Sequence, residues 1–159
     1  MPPKSKSNPN TLLTSRISLV YGIYFLYFEP IAALGGTYLC FLDPERFLAG
    51  TVPVPALTAA PVPLTPVLQM MLRNIGCLYG LFAINEGIVL RLTRERNVWY
   101  AVILSMVVAD IGHLYAAYDI APNQMFSIMS WNSDEWINYG TLMLGLCLRL
   151  AFMAGIGRK

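Results

Sequence analysis

Apolar residues come in four long runs along this chain, separated by short polar stretches. A helix rises ~1.5 Å per residue, so about 20 residues cross the ~30 Å hydrocarbon layer of a bilayer. Residues 17–40, 66–92, 98–118 and 137–156 meet that length and predict four spanning helices, an all-α polytopic membrane four-helix bundle. Glu29-Pro30 interrupts the first run. Proline inside a helix kinks it and frees a carbonyl that a neighbour must satisfy. Thr65-Pro66 opens the second run as an N-cap followed by proline at the first helical position.

The polar stretches set the organisation. Residues 1–15, with Pro2, Pro3, Lys4, Lys6 and Pro9, read as a disordered basic tail, and residues 16–159 as a single transmembrane domain. Residues 41–65 carry Asp43, Glu45 and Arg46, then Val52-Pro53-Val54-Pro55 and Pro61-Val62-Pro63. Repeated X-Pro steps favour extended backbone and predict a surface loop there. Arg91, Arg94, Glu95 and Arg96 form a tight connection, and residues 119–136 a second outer loop. Lys4, Lys6, Arg16, Arg91, Arg94, Arg96, Arg158 and Lys159 fall on one side of the bundle and Arg46 alone on the other, so both termini are expected in the cytosol. The first run exceeds a signal-peptide core and lacks a cleavage site, so it is expected to be retained.

Composition sharpens this picture. Of 159 residues, 56% are hydrophobic and 13% charged, about half the ~25% charge of a soluble domain. The net charge of +2 comes without a basic stripe, which argues against a nucleic-acid partner. Cys40, Cys77 and Cys147 have no metal or redox spacing and are expected to be free, buried thiols. Close helix contact in lipid requires small residues. Gly76, Gly80, Ala83 and Gly87 supply a stripe on the second helix, Gly22, Ala33 and Gly36 on the first, and Gly145 a turn before Arg149 on the fourth.

Ionisable residues inside the spans are costly in lipid and must face the interior or water. They are Glu29, Arg73, Glu86, Asp110, His113 and Arg149. Counted from the cytosolic ends, Glu86 and Arg149 lie at roughly 8 and 12 Å, Glu29 and Asp110 near ~20 Å, and His113 and Arg73 at about 24 and 27 Å. Those depths predict a Glu86–Arg149 ion pair and, farther out, a cluster of Glu29, Asp110, His113 and Arg73. Two carboxyls at one depth sharing little positive charge cannot both ionise cheaply, so one holds a proton. That arrangement suits proton transfer by Glu29, Asp110 and His113, with Arg73, Glu86 and Arg149 as structural or tuning ion pairs. The competing reading makes all of them interhelical ion pairs that fix register.

Trp131, Asn132, Trp136 and Asn138 are read either as an aromatic belt with Asn132 or Ser133 capping the fourth helix, or as the cavity mouth. Tyr21, Tyr24, Tyr27, Tyr115 and Tyr118 could offer ring faces to a ligand or merely pack. One histidine and two acids make a poor metal set, and no nucleotide or nucleophile motif occurs, so neither a metal nor a cofactor is expected.

The segments Leu19-Val20-Tyr21, Glu29-Pro30-Ile31-Ala32-Ala33-Leu34, Ala83-Ile84-Asn85-Glu86, Ala109-Asp110-Ile111-Gly112-His113-Leu114-Tyr115, and Trp131-Asn132 with Trp136 and Asn138 resemble a family of small fungal four-helix membrane proteins of unassigned function. The resemblance covers nearly all of the chain after the tail. It implies a place near polyketide or terpenoid biosynthesis, because members occur in natural-product gene clusters. A looser likeness to membrane-embedded sterol isomerases and meroterpenoid cyclases, without matching motifs, would make Glu29 or Asp110 a proton donor. The resulting expectation is an accessory isomerase or cyclase in the endoplasmic reticulum membrane, acting on a hydrophobic small molecule. The alternatives are a non-catalytic scaffold for a biosynthetic enzyme and an oligomeric transporter.

Overall fold

A computed structural model describes residues 17–59 and 63–157. The described residues are all helical or irregular, with no strand among them. Among the described residues, four helices are long and apolar enough to cross a membrane: α1 (Leu19–Leu42), α4 (Pro66–Leu92), α5 (Arg96–Ile120) and α7 (Ser133–Met153). Between them lie α2 (Pro44–Thr51), α3 (Val54–Ala59) and α6 (Pro122–Phe126). The expected tail at residues 1–15 lies outside the described residues, as do Arg16, Arg158 and Lys159.

The long helices run up and down in two antiparallel pairs. In α1/α4 the glycines set the approach. A methyl group at Gly76 would stand 2.8 Å from the Phe41 ring and 2.9 Å from Cys40 Cβ, and one at Gly36 would stand 3.2 Å from the Tyr79 ring. Gly87 seats the Pro30 ring, 3.2 Å from where a Cβ would be. In α5/α7, Asp110 meets Arg149, and the Tyr100 hydroxyl donates to the Met153 carbonyl at 3.3 Å.

Pro30 frees a carbonyl for a neighbour to satisfy, as expected. Lacking an N–H, it leaves the carbonyl of Leu26 without its helical partner. Arg91, arriving from α4, donates to that oxygen while its guanidinium lies 4.3 Å over the Tyr27 ring. The backbone widens into a π turn at Tyr24–Phe28, just before Glu29. Two more π turns follow, at Asn85–Val89 in α4 and Trp136–Gly140 in α7. Such turns insert one extra residue and rotate the side chains beyond them, which is why they recur at functional sites.

The bundle is sealed at one end and divided at the other. Tyr21, Tyr24, Phe25, Leu90, Trp99, Ile103 and Phe152 close the end where α1 begins and α7 finishes. The Tyr21 hydroxyl fastens that end by donating to the Ile156 carbonyl at 2.8 Å. At the opposite end the core splits. One part gathers Cys40, Phe47 and Leu72 under α2; the other gathers Ala117, Met125, Trp131 and Tyr139 between α5, α6 and α7.

Three sequence expectations need correction here. Residues 44–59 are largely helical rather than an extended loop: Asp43 caps α2 by accepting from the Arg46 N–H at 3.2 Å, Pro44 stands at its first position, and α3 follows, while residues 60–62 of the expected loop lie outside the described residues. Helix α7 begins at Ser133 rather than residue 137, because the Asn132 side chain accepts from the Glu135 N–H at 2.8 Å and Glu135 answers to the Asn132 N–H at 3.0 Å. It stops at Met153, ahead of Gly155 and Gly157, whose φ angles of 83° and 73° no helix accommodates. Of the cysteines, all free, only Cys40 is buried; Cys77 and Cys147 face outward.

Candidate functional site

A single guanidinium organises the interior polar groups. Arg149 Nη1 donates to Asp110 Oδ2 at 2.5 Å, and Nη2 donates to Glu29 Oε1 and lies 3.5 Å from Glu86 Oε1. One residue from each long helix therefore meets at one point. The two-layer arrangement expected from Cα depth does not form: Glu86 and Arg149 join Glu29 and Asp110 instead of pairing apart from them.

Side-chain direction explains the merger. In a helix the Cα–Cβ bond leans toward the N-terminus. Glu29 and Asp110 sit on helices running one way and lean back toward the sealed end. Glu86 and Arg149 sit on helices running the other way and lean toward the open end. Separations counted along the axes are thus closed by the side chains themselves.

Space for the cluster comes from Gly145. A Cβ there would stand 2.7 Å from Arg149 Nη1, 2.9 Å from the Tyr24 hydroxyl and 3.1 Å from Glu29 Oε1. Tyr24 also donates to the Thr141 carbonyl at 3.1 Å, which ties α1 to α7 next to the cluster.

Arg73 takes no part in this centre. It is exposed on the outer face of α4 and makes no ion pair among the described residues. Only a turn or two from the start of α4, its long side chain is within reach of the headgroup region, where such stems carry their charge. His113 lines the same cavity as Glu29 and Asp110, one helical turn beyond Asp110, and makes no ion pair among the described residues.

The cluster forms the floor of a cavity of about 330 Å³ that opens toward the divided end of the bundle. Its walls are mainly apolar, from Phe28, Leu39, Phe82, Met106 and Leu142 among others. At the mouth Arg46 and Asp134 form a two-pronged ion pair, with Nη1 to Oδ2 at 2.9 Å and Nη2 to Oδ1 at 2.6 Å. Hydrogen bonding to the Asp134 carboxylate raises the pKa of the Arg46 guanidinium above its ordinary value.

Of the four residues read as a mouth, Asn138 alone lines the cavity, donating to the Thr51 carbonyl at 3.3 Å. Trp131 is buried and donates to the Gln124 carbonyl at 2.9 Å, Asn132 is the helix cap, and Trp136 packs edge-on against Trp131 with half its surface exposed. Of the tyrosines read as ring faces, Tyr24 lines the cavity, whereas Tyr115 and Tyr118 point outward.

Sequence reasoning missed Arg46 and Asp134 as mouth residues. The signal was present: Arg46 is the one basic residue between residues 17 and 72, and Asp134 begins the helix that carries Arg149. Glu135, expected only to complement the helix dipole, is a buried carboxylate that also accepts from Gln124 Nε2 at 3.0 Å and from the Val54 N–H at 3.3 Å, fastening α3 and α6 to α7.

Chemically, the arrangement places three carboxyls and one fixed cation at the closed end of an apolar chamber. It can hold, donate and accept protons away from water, and it can stabilise a developing charge of either sign. Comparison with curated proteins and with solved structures finds no match. A family model described as a domain of unknown function, DUF7704, matches residues 14–159. Over nearly its whole length, then, the chain belongs to the DUF7704 family.

Proposed function

We propose that this protein is a membrane-embedded accessory enzyme of fungal secondary metabolism, placed in the endoplasmic reticulum with both termini in the cytosol, that isomerises or cyclises a hydrophobic polyketide or terpenoid intermediate by proton transfer. The observation that carries the reading is the convergence of Glu29, Glu86 and Asp110 on Arg149 at the floor of an apolar cavity of about 330 Å³. That volume lies at the small end of the ~300–1,000 Å³ span of ligand pockets.

In such a reaction a carboxyl adds a proton to a double bond of the bound molecule, and a neighbouring carboxylate removes one from an adjacent carbon. Atoms balance without a cofactor. Glu29 and Asp110 flank Arg149 from opposite helix pairs and suit the two roles, with Arg149 holding the carboxylate left behind. Apolar walls exclude water that would otherwise trap a cationic intermediate.

The test is replacement of the native gene by Glu29→Gln or Asp110→Asn, with metabolites and protein level both measured. The proposal expects at least a hundredfold loss of one product at normal protein level. Unchanged product at normal level rejects it.

A second reading is a non-catalytic scaffold, favoured by the same guanidinium binding all three acids and so locking four helices together. Loss of product in step with loss of protein supports that alternative.

A further inference from the structure

Glu29, Glu86 and Asp110 bring three negative charges to the single positive charge of Arg149. Tyr24, Tyr79 and His113 are the other titratable groups on the cavity floor and walls, and none of them makes an ion pair among the described residues. Fully ionised, the floor would be heavily over-charged in a medium that resists even one unpaired ion.

The guanidinium does not serve its three partners equally. Nη1 is committed to Asp110 and Nη2 to Glu29, while Glu86 stands at 3.5 Å, the outer limit of a bond. Yet Glu86 is the most deeply buried of the three, its side chain 2% exposed against 8% for Asp110 and 13% for Glu29. The group with least access to water has the weakest ion pair.

Beside it, Glu29 Oε2 is sealed from solvent and accepts no hydrogen bond from any described residue. An unsatisfied buried acceptor is costly, and more so when charged. The side chains of Glu29 and Glu86 are within hydrogen-bonding reach of each other, both turned toward Nη2. Between two carboxylates such a contact is repulsive. Between a carboxylic acid and a carboxylate it is a strong, charge-assisted hydrogen bond.

We propose that Glu86 carries a proton at neutral pH and donates it to Glu29 Oε2, so that the two residues form a singly charged pair held by Arg149, with Asp110 as the ionised partner of Nη1. One proton removes the excess contact between like charges and satisfies the orphaned oxygen. This deepens the proton-transfer reading, on which its functional meaning rests. Glu86, read from the sequence as a tuning group, becomes the residue that stores the proton Glu29 passes on. When the proton leaves, the pair is left as two carboxylates against Nη2, and a proton returned from Asp110 or from water restores it.

Infrared spectroscopy of the full chain in liposomes, without substrate, tests this. A protonated carboxyl has a C=O stretch that ionised carboxylates lack and that shifts in D₂O. The band should be present at neutral pH, move when the protein is grown with side-chain ¹³C-labelled glutamate, and stay put with labelled aspartate. It should vanish in Glu86→Gln, persist in Asp110→Asn and Glu135→Gln, and transfer to the aspartate label in Glu86→Asp. Absence of the band, or its movement with aspartate in the native chain, overturns the inference. The isotope arm uses the native chain and so survives misfolding of any variant. An unchanged metabolite profile in Glu29→Gln would remove the enzymatic reading while leaving this result standing.

Discussion

Arg91 reaches from α4 to the backbone carbonyl of Leu26 on α1, the oxygen that Pro30 leaves without a helical donor. A gap in the backbone hydrogen bonding and its repair are thus carried on different helices, and Gly87 keeps them adjacent by admitting the Pro30 ring. Arg91→Ala should therefore destabilise the bundle by about 0.5–1.5 kcal/mol, the net worth of one hydrogen bond. Pro30→Ala restores an N–H at that position and should reduce the loss. Unfolding in mixed micelles of both single variants and the double variant should show a coupling of ~0.5 kcal/mol or more. Strict additivity would mean that the two residues act independently.

Gly145 makes the second case. Glycine to alanine in a helix normally gains up to ~1 kcal/mol. At residue 145 the added methyl would press on Arg149 Nη1 at 2.7 Å and the Tyr24 hydroxyl at 2.9 Å, so Gly145→Ala should cost about 1–3 kcal/mol instead. Gly22→Ala, where a Cβ meets nothing within 4 Å, serves as the control and should be neutral or mildly stabilising. The same unfolding assay reads both.

Arg149 itself should be the least replaceable residue. Arg149→Met leaves three buried acids without a cation, a change that costs about 3–5 kcal/mol when one member of a buried pair is lost. Arg149→Lys keeps the charge but not the fork whose two nitrogens reach separate helices, so it should rescue only part of the loss. Steady-state protein level and thermal stability in detergent should rank native above lysine above methionine.

At the mouth the ion pair is exposed, and its effect should be on access rather than stability. In a background lacking the three native cysteines, Thr51→Cys on the cavity wall should react faster with a charged, membrane-impermeant thiol reagent when Arg46→Ala is added. The exchange of Arg46→Asp with Asp134→Arg should return the rate toward its starting value. No change in rate on removing Arg46 would show that the pair does not restrict entry.

The long helices were legible because lipid imposes one simple requirement, some twenty apolar residues in a row. The second span, 66–92, matches α4 residue for residue, since Thr65 and Pro66 give an unambiguous start. The first slips by two residues, because an apolar run contains no marker of where its helix begins. Helix α2 is masked in the sequence by the prolines that follow it, which favour extended backbone, although Asp43-Pro44-Glu45 is itself a helix-start signal of cap, first-position proline and acidic first turn.

The membership of the polar centre was legible only in part. Burial cost alone places Glu29, Glu86, Asp110 and Arg149 indoors, but their partners depend on tilt, on three π turns and on opposed side-chain lean, none of which a count of residues records. Arg73 shows the converse: lipid cost alone turns an arginine inside an apolar run inward, yet its place in α4 leaves it exposed.

Oxygen-collision spin labelling tests most directly whether the four helices enclose a polar chamber. Single cysteines at Ala33 and Ala109, which line the cavity without carrying charge, are compared in liposomes with single cysteines at Ile31 and Ile111, which are 69% and 54% exposed on the outer surface. The account predicts low exposure to lipid-dissolved oxygen at residues 33 and 109 and high exposure at 31 and 111. Equal, lipid-like exposure at all four would contradict the shared interior and, with it, the proton chemistry assigned to Glu29, Glu86 and Asp110.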